Sequence, residues 1–309
     1  MNDSLIPQLS VIIPTHNNLN VLKRCMESWE RFGRAGQIEI LVIEDGCRDH
    51  TRDYLTSLAE TEWGRAQMRW FHEDDVNELK CNNRGFAEAK APLLLVWQDD
   101  MFLQCDWFVD ELIATFAAYP EIGLLSLSRG LNCYPLDEPI VEWEDLLDWR
   151  RLESTIGKAP LNWVRLQEVD IVVRPWIVRR ECLDRVGYLD EAFCPHEWDE
   201  ADLCFRIRRA GWRVATHGYE RLGAYEHLGS STLSKKEPSS QQRIALVNGR
   251  LFHERWGGEI AREHARRRAV WRKRAAARSW IFTFQQMARS INGALYKMAR
   301  PIKKAQVSK

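Results

Sequence analysis

The sequence predicts an α/β fold whose central sheet is mostly parallel, followed by a helical extension at the C-terminal end. Short runs of β-branched and aliphatic residues alternate with amphipathic segments from the start of the chain. This alternation is typical of βαβ units, whose crossovers keep successive strands parallel. Residues 259–309 differ in composition and predict a separate basic helix.

The alternation is clearest in the first half of the chain. Residues 9–13 form an apolar run stopped by Pro14, which predicts a buried strand followed by a loop. Further strands are predicted over residues 38–43, 68–72, 93–97 and 122–126, and helices over residues 20–32, 51–58, 84–90 and 106–119. Ligands of such sheets bind outside the carboxyl ends of the strands, so the residues that follow each strand are candidate site residues.

The second half of the chain is less regular. Residues 132–167 are rich in tryptophan, proline and acidic residues without a clear period, and we interpret them as an insertion that carries acceptor specificity. The remaining predicted elements are a strand and turn within 169–180, helices over 180–186 and 199–211, and a strand over 212–216.

The composition indicates a folded protein with a substantial core, since 45% of its 309 residues are hydrophobic and 28% are charged. The eight cysteines form no C-x-x-C pair, which argues against a zinc site and a disulfide framework. The first residues lack the pattern of a signal peptide, and no run approaches about 18 consecutive apolar residues. We therefore expect a cytoplasmic protein.

The formal net charge of zero hides an uneven distribution. Residues 261–309 carry 14 lysines and arginines and one acidic residue, whereas the rest of the chain carries 30 basic and 43 acidic residues. Apolar side chains in this tail recur at steps of three or four, as on one face of a helix, at Trp280, Phe284, Met287, Ile291, Leu295 and Met298. The sequence thus predicts a domain over residues 1–258 and a basic amphipathic tail over residues 259–309.

Two interpretations of the tail stay open. A basic amphipathic helix with aromatic residues suits peripheral adsorption at the inner face of an anionic membrane. The same helix is equally suited to packing on the acidic body of the protein or on a second subunit. We expect no nucleic-acid binding, because no recognised module accompanies the arginines.

The first cluster of chemical interest is Gln98-Asp99-Asp100, which ends the strand predicted over residues 93–97. Carboxylates at the end of a strand suit a hard divalent cation, which takes oxygen ligands and commonly bridges a diphosphate. A solvated turn that begins the next helix explains the same residues. Considered alone, the cluster is compatible with both interpretations.

A second acidic cluster lies at the predicted start of the helix over residues 199–211, where the helix dipole stabilises negative charge. Asp199, Glu200 and Asp202 crowd this point, and crowding raises the pKa of one carboxyl, as a general base requires. Simple N-capping accounts for these residues as well. The lone His227 follows, and a lone histidine is more often a packing or surface residue than a ligand.

In their order along the chain, these clusters resemble the family 2 glycosyltransferases, inverting enzymes with the GT-A fold, over roughly residues 8–231. The matching segments are SVIIPTHN (10–17), LVIEDGCRDHT (41–51), NRGFAEAKA (83–91), VGYLDE (186–191) and DEADLCFR (199–206). The resemblance implies a Rossmann-like sheet and transfer of a sugar from a nucleotide-sugar donor, with a UDP-sugar favoured. The acceptor would be a hydroxyl of a glycan or lipid-linked molecule in surface polysaccharide or lipopolysaccharide synthesis.

The resemblance also assigns residues to the donor and to a metal. Glu44 would bond the base or ribose, and Asp99 would contact the ribose or a metal-bound water. Asp100 matches the last acid of a D-x-D motif and would bind Mn²⁺ or Mg²⁺ on the donor diphosphate, with His227 completing the metal site. The full set of implied donor-binding residues is Pro14, Thr15, Glu44, Asn83, Gly85 and Asp99.

The base that deprotonates the acceptor would come from Asp199 and Glu200. Glu200 aligns with the second acid of the family's E-D pair, the usual base, and Trp198 would pack against a sugar face. Gln98 replaces the first acid of D-x-D, and Asp199-Glu200 reverses the E-D order. These departures favour the competing interpretation of a catalytically inactive GT-A-fold binding or scaffold protein.

Overall fold

The computed structural model describes residues 6–131, 166–229, 243–263 and 265–266. Contacts divide the chain into two units, Met1–Gly258 and Glu259–Lys309. In the second unit, residues 259–263 and 265–266 are helical. The apolar stripe predicted between residues 280 and 298 lies outside the described residues, as does nearly all of the insertion predicted over residues 132–167.

The described part of the first unit alternates strands with helices, as the sequence predicts. The strands are β1 (Leu9–Thr15), β2 (Ile38–Asp45), β3 (Met68–Glu73), β4 (Leu93–Val96), β5 (Met101–Leu103), β6 (Ile122–Ser126), β7 (Gly130–Leu131), β8 (Gln167–Glu168), β9 (Ile171–Val172), β10 (Trp176–Arg179), β11 (Arg213–Thr216) and β12 (Tyr225–His227). The helices are α1 (Leu19–Phe32), α2 (Thr51–Ala59), α3 (Glu62–Gln67), α4 (Glu78–Glu88), α5 (Phe108–Ala118), α6 (Arg180–Val186), α7 (Asp199–Arg209) and α8 (243–258).

Eight strands form one sheet in the order β3-β2-β1-β4-β10-β6-β11-β8. The first four are parallel to one another, and β6 is parallel to β11. β10 runs antiparallel between β4 and β6, and β8 runs antiparallel to β11 at one edge. The predicted α/β fold with a mostly parallel sheet is therefore confirmed. Two smaller sheets join β5 to β12 and β7 to β9.

The central strands are mostly apolar because the sheet is covered on both faces. All of β2 and β4 is buried, and so is β1 apart from Pro14. Helix α4 lies so close to β1 that a Cβ on Gly85 would come within 2.3 Å of Ile12 Cγ2. Close packing of this kind fixes the positions of the strand ends that carry the candidate site.

One helix begins earlier than the sequence predicts. α4 starts at Glu78 rather than at residue 84, because the side chain of Asn77 accepts a hydrogen bond from Lys80 N at 3.2 Å and caps the helix. The cap is hard to recognise in the sequence, since Asn77 follows an acidic stretch typical of a loop.

None of the helices in the described part of the chain has the length and apolar character of a membrane span.

Candidate active site

Asp99 lies beyond the carboxyl end of β4, beside the end of β1, and both of its carboxylate oxygens are engaged. Thr15 Oγ1 donates to Asp99 Oδ2 at 2.7 Å, and Asn18 Nδ2 donates to Oδ1 at 3.1 Å. Burial raises the pKa of Asp99 to about 7, although these hydrogen bonds oppose the shift. The structure thus joins two residues that the sequence predicts as donor-binding, Thr15 and Asp99.

Asp100 and His227, which the sequence predicts as metal ligands, lie together. β12 pairs with β5 so that His227 is opposite Met101, and His227 Nε2 comes to 3.5 Å from Asp100 Oδ1. Asp100 is 5% exposed, and its buried Oδ1 has no hydrogen-bond partner. The Asp100 carboxylate raises the pKa of His227.

This pair fits a divalent cation. A buried carboxylate oxygen without a hydrogen bond is costly, and a bound ion would satisfy it. Carboxylate oxygens are suitable ligands for Mg²⁺ and Mn²⁺, which commonly take their remaining ligands from water and substrate phosphates. Asp100 and His227 are therefore the residues that would hold such an ion.

Glu44 is the second-last residue of β2, and its side chain is fully buried. Its Oε2 accepts from Arg52 Nε at 2.9 Å and contacts His72 Nδ1 at 2.6 Å, while Oε1 accepts from Cys47 N. Burial alone would raise the pKa of Glu44, but these hydrogen bonds hold it below its usual value. Glu44 thus anchors the segment after β2, and Arg52 and His72 lie between its carboxylate and solvent.

Asn83 and Gly85 serve packing in this structure. The Asn83 side chain donates from Nδ2 to Leu189 O at 2.9 Å and accepts from Leu189 N at 3.0 Å, so it fixes the segment after α6. Gly85 permits the close approach of α4 to Ile12. Both residues support the sheet edge where the donor is predicted to bind, and their roles in contacting a donor stay predictions.

A second group of potential metal ligands consists of His16, Asp45 and Asp75, the one such trio found among the described residues. Two of its three residues, His16 and Asp45, already have hydrogen-bond partners. His16 Nδ1 contacts Asp45 O at 2.5 Å, and the Asp45 carboxylate accepts from Val76 N at 2.6 Å and Asn77 N at 3.0 Å. These contacts tie the loop before α4 to the end of β2, which accounts for the trio without a metal.

The acidic start of α7 surrounds a buried arginine. Arg174 forms ion pairs with Glu78 through Nη1 and with Glu200 through Nε, and its Nη2 lies 3.2 Å from Asp199 Oδ2. One guanidinium therefore links α4 to the first turn of α7. The sequence analysis missed Arg174. The available signal was the crowding of acids at residues 197–202, since crowded carboxylates need a cation.

The two candidate bases differ in their access to solvent. The side chain of Asp199 is fully buried, whereas that of Glu200 is 17% exposed. Burial and then the charge of Glu200 raise the pKa of Asp199 well above its usual value, although Arg174 opposes the shift. Asp199 Oδ1 has no hydrogen-bond partner. Glu200 is thus the one of the two side chains that is partly exposed to solvent.

The neighbours of this pair are structural. Asp202 accepts from Arg206 Nε at 2.7 Å and from Trp256 Nε1 at 2.8 Å. Trp198 is 8% exposed, and its ring packs on Phe252 with 5.0 Å between centroids. The role of Trp198 against a sugar face stays a prediction. The sequence could not show the contact with Phe252, because that residue lies on a helix distant in sequence.

The sequence profile of glycosyl transferase family 2 matches residues 10–185, more than half of the chain. The chain belongs to this family. The matched span of this family 2 glycosyltransferase holds Thr15, Glu44, Asp99, Asp100 and Arg174, and it ends before Glu200 and His227.

Similar proteins agree with this assignment. Validoxylamine A glucosyltransferase of Streptomyces hygroscopicus subsp. jinggangensis is 28% identical over 269 residues, covering 79% of this chain and 60% of that protein. The O-antigen biosynthesis protein RfbC of Myxococcus xanthus is 24% identical over 242 residues, covering 71% and 17%. The chain thus spans less than two thirds of the length of either relative.

A solved structure shows the fold of the family 2 glycosyltransferase. GalNAc-T7, determined with UDP, GalNAc and Mn²⁺, has a TM-score of 0.54 and 16% identity, covering 70% of this chain and 43% of that chain. The mostly parallel sheet with flanking helices is accordingly of the GT-A type, as the resemblance in the sequence implies.

Proposed function

We propose that this family 2 glycosyltransferase moves a sugar from a nucleotide-sugar donor to a hydroxyl of a glycan or lipid-linked acceptor, with inversion at the anomeric carbon. The observation that carries the proposal is the different burial of two acidic clusters. Asp99 and Asp100 are buried beside β1, whereas Glu200 lies in the first turn of α7 with 17% of its side chain exposed. One cluster suits a donor diphosphate, and the other suits an acceptor hydroxyl.

The donor half of the site uses the end of β1 and the residues after β4. Asp99, held by Thr15 and Asn18, would accept hydrogen bonds from the ribose hydroxyls. Asp100 and His227 would hold Mn²⁺ or Mg²⁺, which when bound neutralises charge on the diphosphate leaving group. Pro14 and Glu44 shape the nucleoside side, Glu44 by fixing Arg52 and His72 at the end of β2.

The acceptor half of the site uses the first turn of α7. Glu200 would take the proton of the acceptor hydroxyl as that oxygen attacks the anomeric carbon, and the nucleoside diphosphate would leave from the opposite side. A single displacement of this kind inverts the anomeric configuration. Arg174 and the dipole of α7 hold the carboxylate in place before the acceptor arrives.

The biological setting is part of the proposal. We propose that the product belongs to a surface glycan, for which the name of the relative in O-antigen biosynthesis gives support. We also propose that residues 1–258 form the transferase domain, and that the basic tail over residues 259–309 holds it at the inner face of the cytoplasmic membrane. The uneven charge along the chain supports this arrangement.

Calorimetry with UDP and Mn²⁺ tests the donor half. Asp100→Asn should weaken metal-dependent binding of UDP by about tenfold or more, because it removes a charged ligand from the cation. Asp110→Asn, an exposed acid paired with Arg34, is the matched control and should leave binding unchanged. Equal binding by wild type and Asp100→Asn would remove the metal role of Asp100.

An inactive scaffold is the alternative, and Gln98 favours it because it stands where the family has the first acid of D-x-D. The scaffold proposal predicts donor binding without turnover. Slow hydrolysis of a bound nucleotide sugar, lost on changing Glu200 while the fold is kept, separates the two proposals.

A further inference from the structure

Helix α8 contacts the segment that carries the candidate base, Glu200. This helix lies beyond the span matched by the family profile, which ends at residue 185. Its contacts fall on both sides of Glu200, on the loop before α7 and on α7 itself. The helix therefore supports the backbone around Glu200 through contacts that the family motifs do not include.

Asn248 makes the central contact. Its side chain is 3% exposed, and Nδ2 donates to Phe193 O at 2.7 Å, to His196 O at 2.8 Å and to Glu197 O at 3.2 Å. An amide nitrogen has two hydrogens, so at least one is shared between two carbonyls. One side chain thus gathers three carbonyls of the loop that leads into α7.

That loop needs support, because its last two residues have strained backbones. Glu197 has φ of 76° and Trp198 has φ of 71°, and both carry a Cβ that disfavours the left-handed region. Such a backbone conformation is unfavourable for a residue with a Cβ and persists where the surroundings hold it. Trp198 is itself held by α8, since its Nε1 donates to Ala245 O at 3.1 Å and its ring packs on Phe252.

The other end of α8 holds the helix that follows. Arg255 Nη1 donates to Asp190 Oδ2 at 2.6 Å and to Asp202 Oδ1 at 3.3 Å. Trp256 Nε1 donates to the same Asp202 oxygen at 2.8 Å. The backbone of Glu200 is therefore fixed from the loop side by Asn248 and from the helix side by Asp202.

We propose that Asn248 is a positioning residue for the acceptor reaction: it holds the strained loop over residues 193–198 so that the Glu200 carboxylate faces the acceptor. The role of Glu200 as base rests on the proposed function. The clamp itself does not, since it is a statement about the backbone before α7. When the amide is removed, three carbonyls of the loop lose this donor and the two left-handed residues relax.

The test compares Asn248→Ala and Asn248→Asp with Arg250→Ala, an exposed control on the same helix. Donor turnover and hydrogen exchange are measured on the full chain. We expect kcat to fall about 10- to 100-fold in both Asn248 variants, with KM for the donor and UDP affinity within about twofold of wild type. Exchange should rise in residues 193–199 and stay unchanged in β1 and β4. Asn248→Asp should be the more impaired, because its carboxylate faces three carbonyl oxygens.

Trp198→Phe provides a milder variant that keeps the ring and removes one hydrogen bond, should either Asn248 variant fail to fold. It should also show a fall in kcat at constant KM, with faster exchange confined to the loop. Unchanged kcat and exchange in these variants would overturn the proposal, as would faster exchange spread evenly over the sheet. If wild type turns over no nucleotide sugar, the proposed function fails, and the exchange pattern alone still decides whether α8 clamps the loop.

Discussion

Asp199 and Glu200 are adjacent in sequence, yet the side chain of Asp199 is fully buried and that of Glu200 is 17% exposed. Because burial favours the neutral form of Asp199, Asn is a close substitute for it, whereas Gln at position 200 removes a base. We expect Glu200→Gln to lower turnover by about 10²- to 10⁴-fold and Asp199→Asn to lower it much less. Steady-state rates with UDP affinity as the control check this, and equal losses in the two variants would contradict it.

Arg174 should be essential for stability. It is the cation shared by Glu78, Asp199 and Glu200. Arg174→Met leaves the carboxylates of Glu78 and Glu200 without this cation and should lower the free energy of unfolding by about 3–5 kcal/mol in urea titrations. Arg174→Lys should recover only part of this, because an ammonium group cannot match the forked guanidinium. Two variants as stable as wild type would show that the cluster is solvated.

His227 should matter for the metal and not for the fold. Its side chain is 28% exposed, and Nε2 lies 3.5 Å from Asp100. His227→Ala should raise the Mn²⁺ concentration for half-maximal UDP binding by at least about tenfold, with the melting temperature nearly unchanged. Calorimetry over a Mn²⁺ series measures it. An unchanged Mn²⁺ requirement would place the metal elsewhere.

Gly85 should act through packing. Gly85→Ala would put a methyl group 2.3 Å from Ile12 Cγ2, so α4 or β1 must shift, at a cost of about 1–3 kcal/mol. Gly258→Ala is the control, since its Cβ would meet nothing within 4 Å. Urea unfolding of both variants should show a loss for the first alone. Equal stabilities would mean that α4 tolerates the displacement.

Glu39 should contribute stability that depends on pH. It accepts hydrogen bonds from Ser10, Arg69 and Lys90, and these outweigh burial, so that the folded-state pKa of Glu39 is lowered. The stability that Glu39 contributes is fully present above the ordinary glutamate pKa of about 4.5, and it is lost as the pH falls through the lowered folded-state pKa. Wild type should exceed Glu39→Gln by about 1.5–3 kcal/mol at pH 7, and the difference should shrink towards pH 3. A constant difference would contradict this.

The strands of the first half could be predicted from sequence because a parallel sheet covered on both faces leaves mostly apolar runs, as in Leu9–Thr15 and Ile38–Asp45. The pairing of Asp100 with His227 followed from family motifs. It could not follow from the local pattern, since β5 and β12 are only three residues each. Their paired residues Leu103 and Tyr225 have 121 residues between them in the sequence.

Other features of the site depend on contacts between distant segments. Arg174 stands in a short irregular stretch, and nothing in its neighbours reveals that three carboxylates surround it. The buried position of Trp198 and the clamp of Asn248 both depend on α8, which carries no family motif. The contacts of these residues depend on tertiary packing between distant segments, which the local sequence does not reveal.

The most direct measurement of the central claim is release of nucleoside diphosphate from a panel of nucleotide sugars with Mn²⁺, by wild type and Glu200→Gln, with calorimetry of the same ligands. At least one nucleotide sugar should bind both proteins with equal affinity and be hydrolysed by wild type alone. Binding of no nucleotide sugar, or hydrolysis at the wild-type rate by Glu200→Gln, would contradict the account.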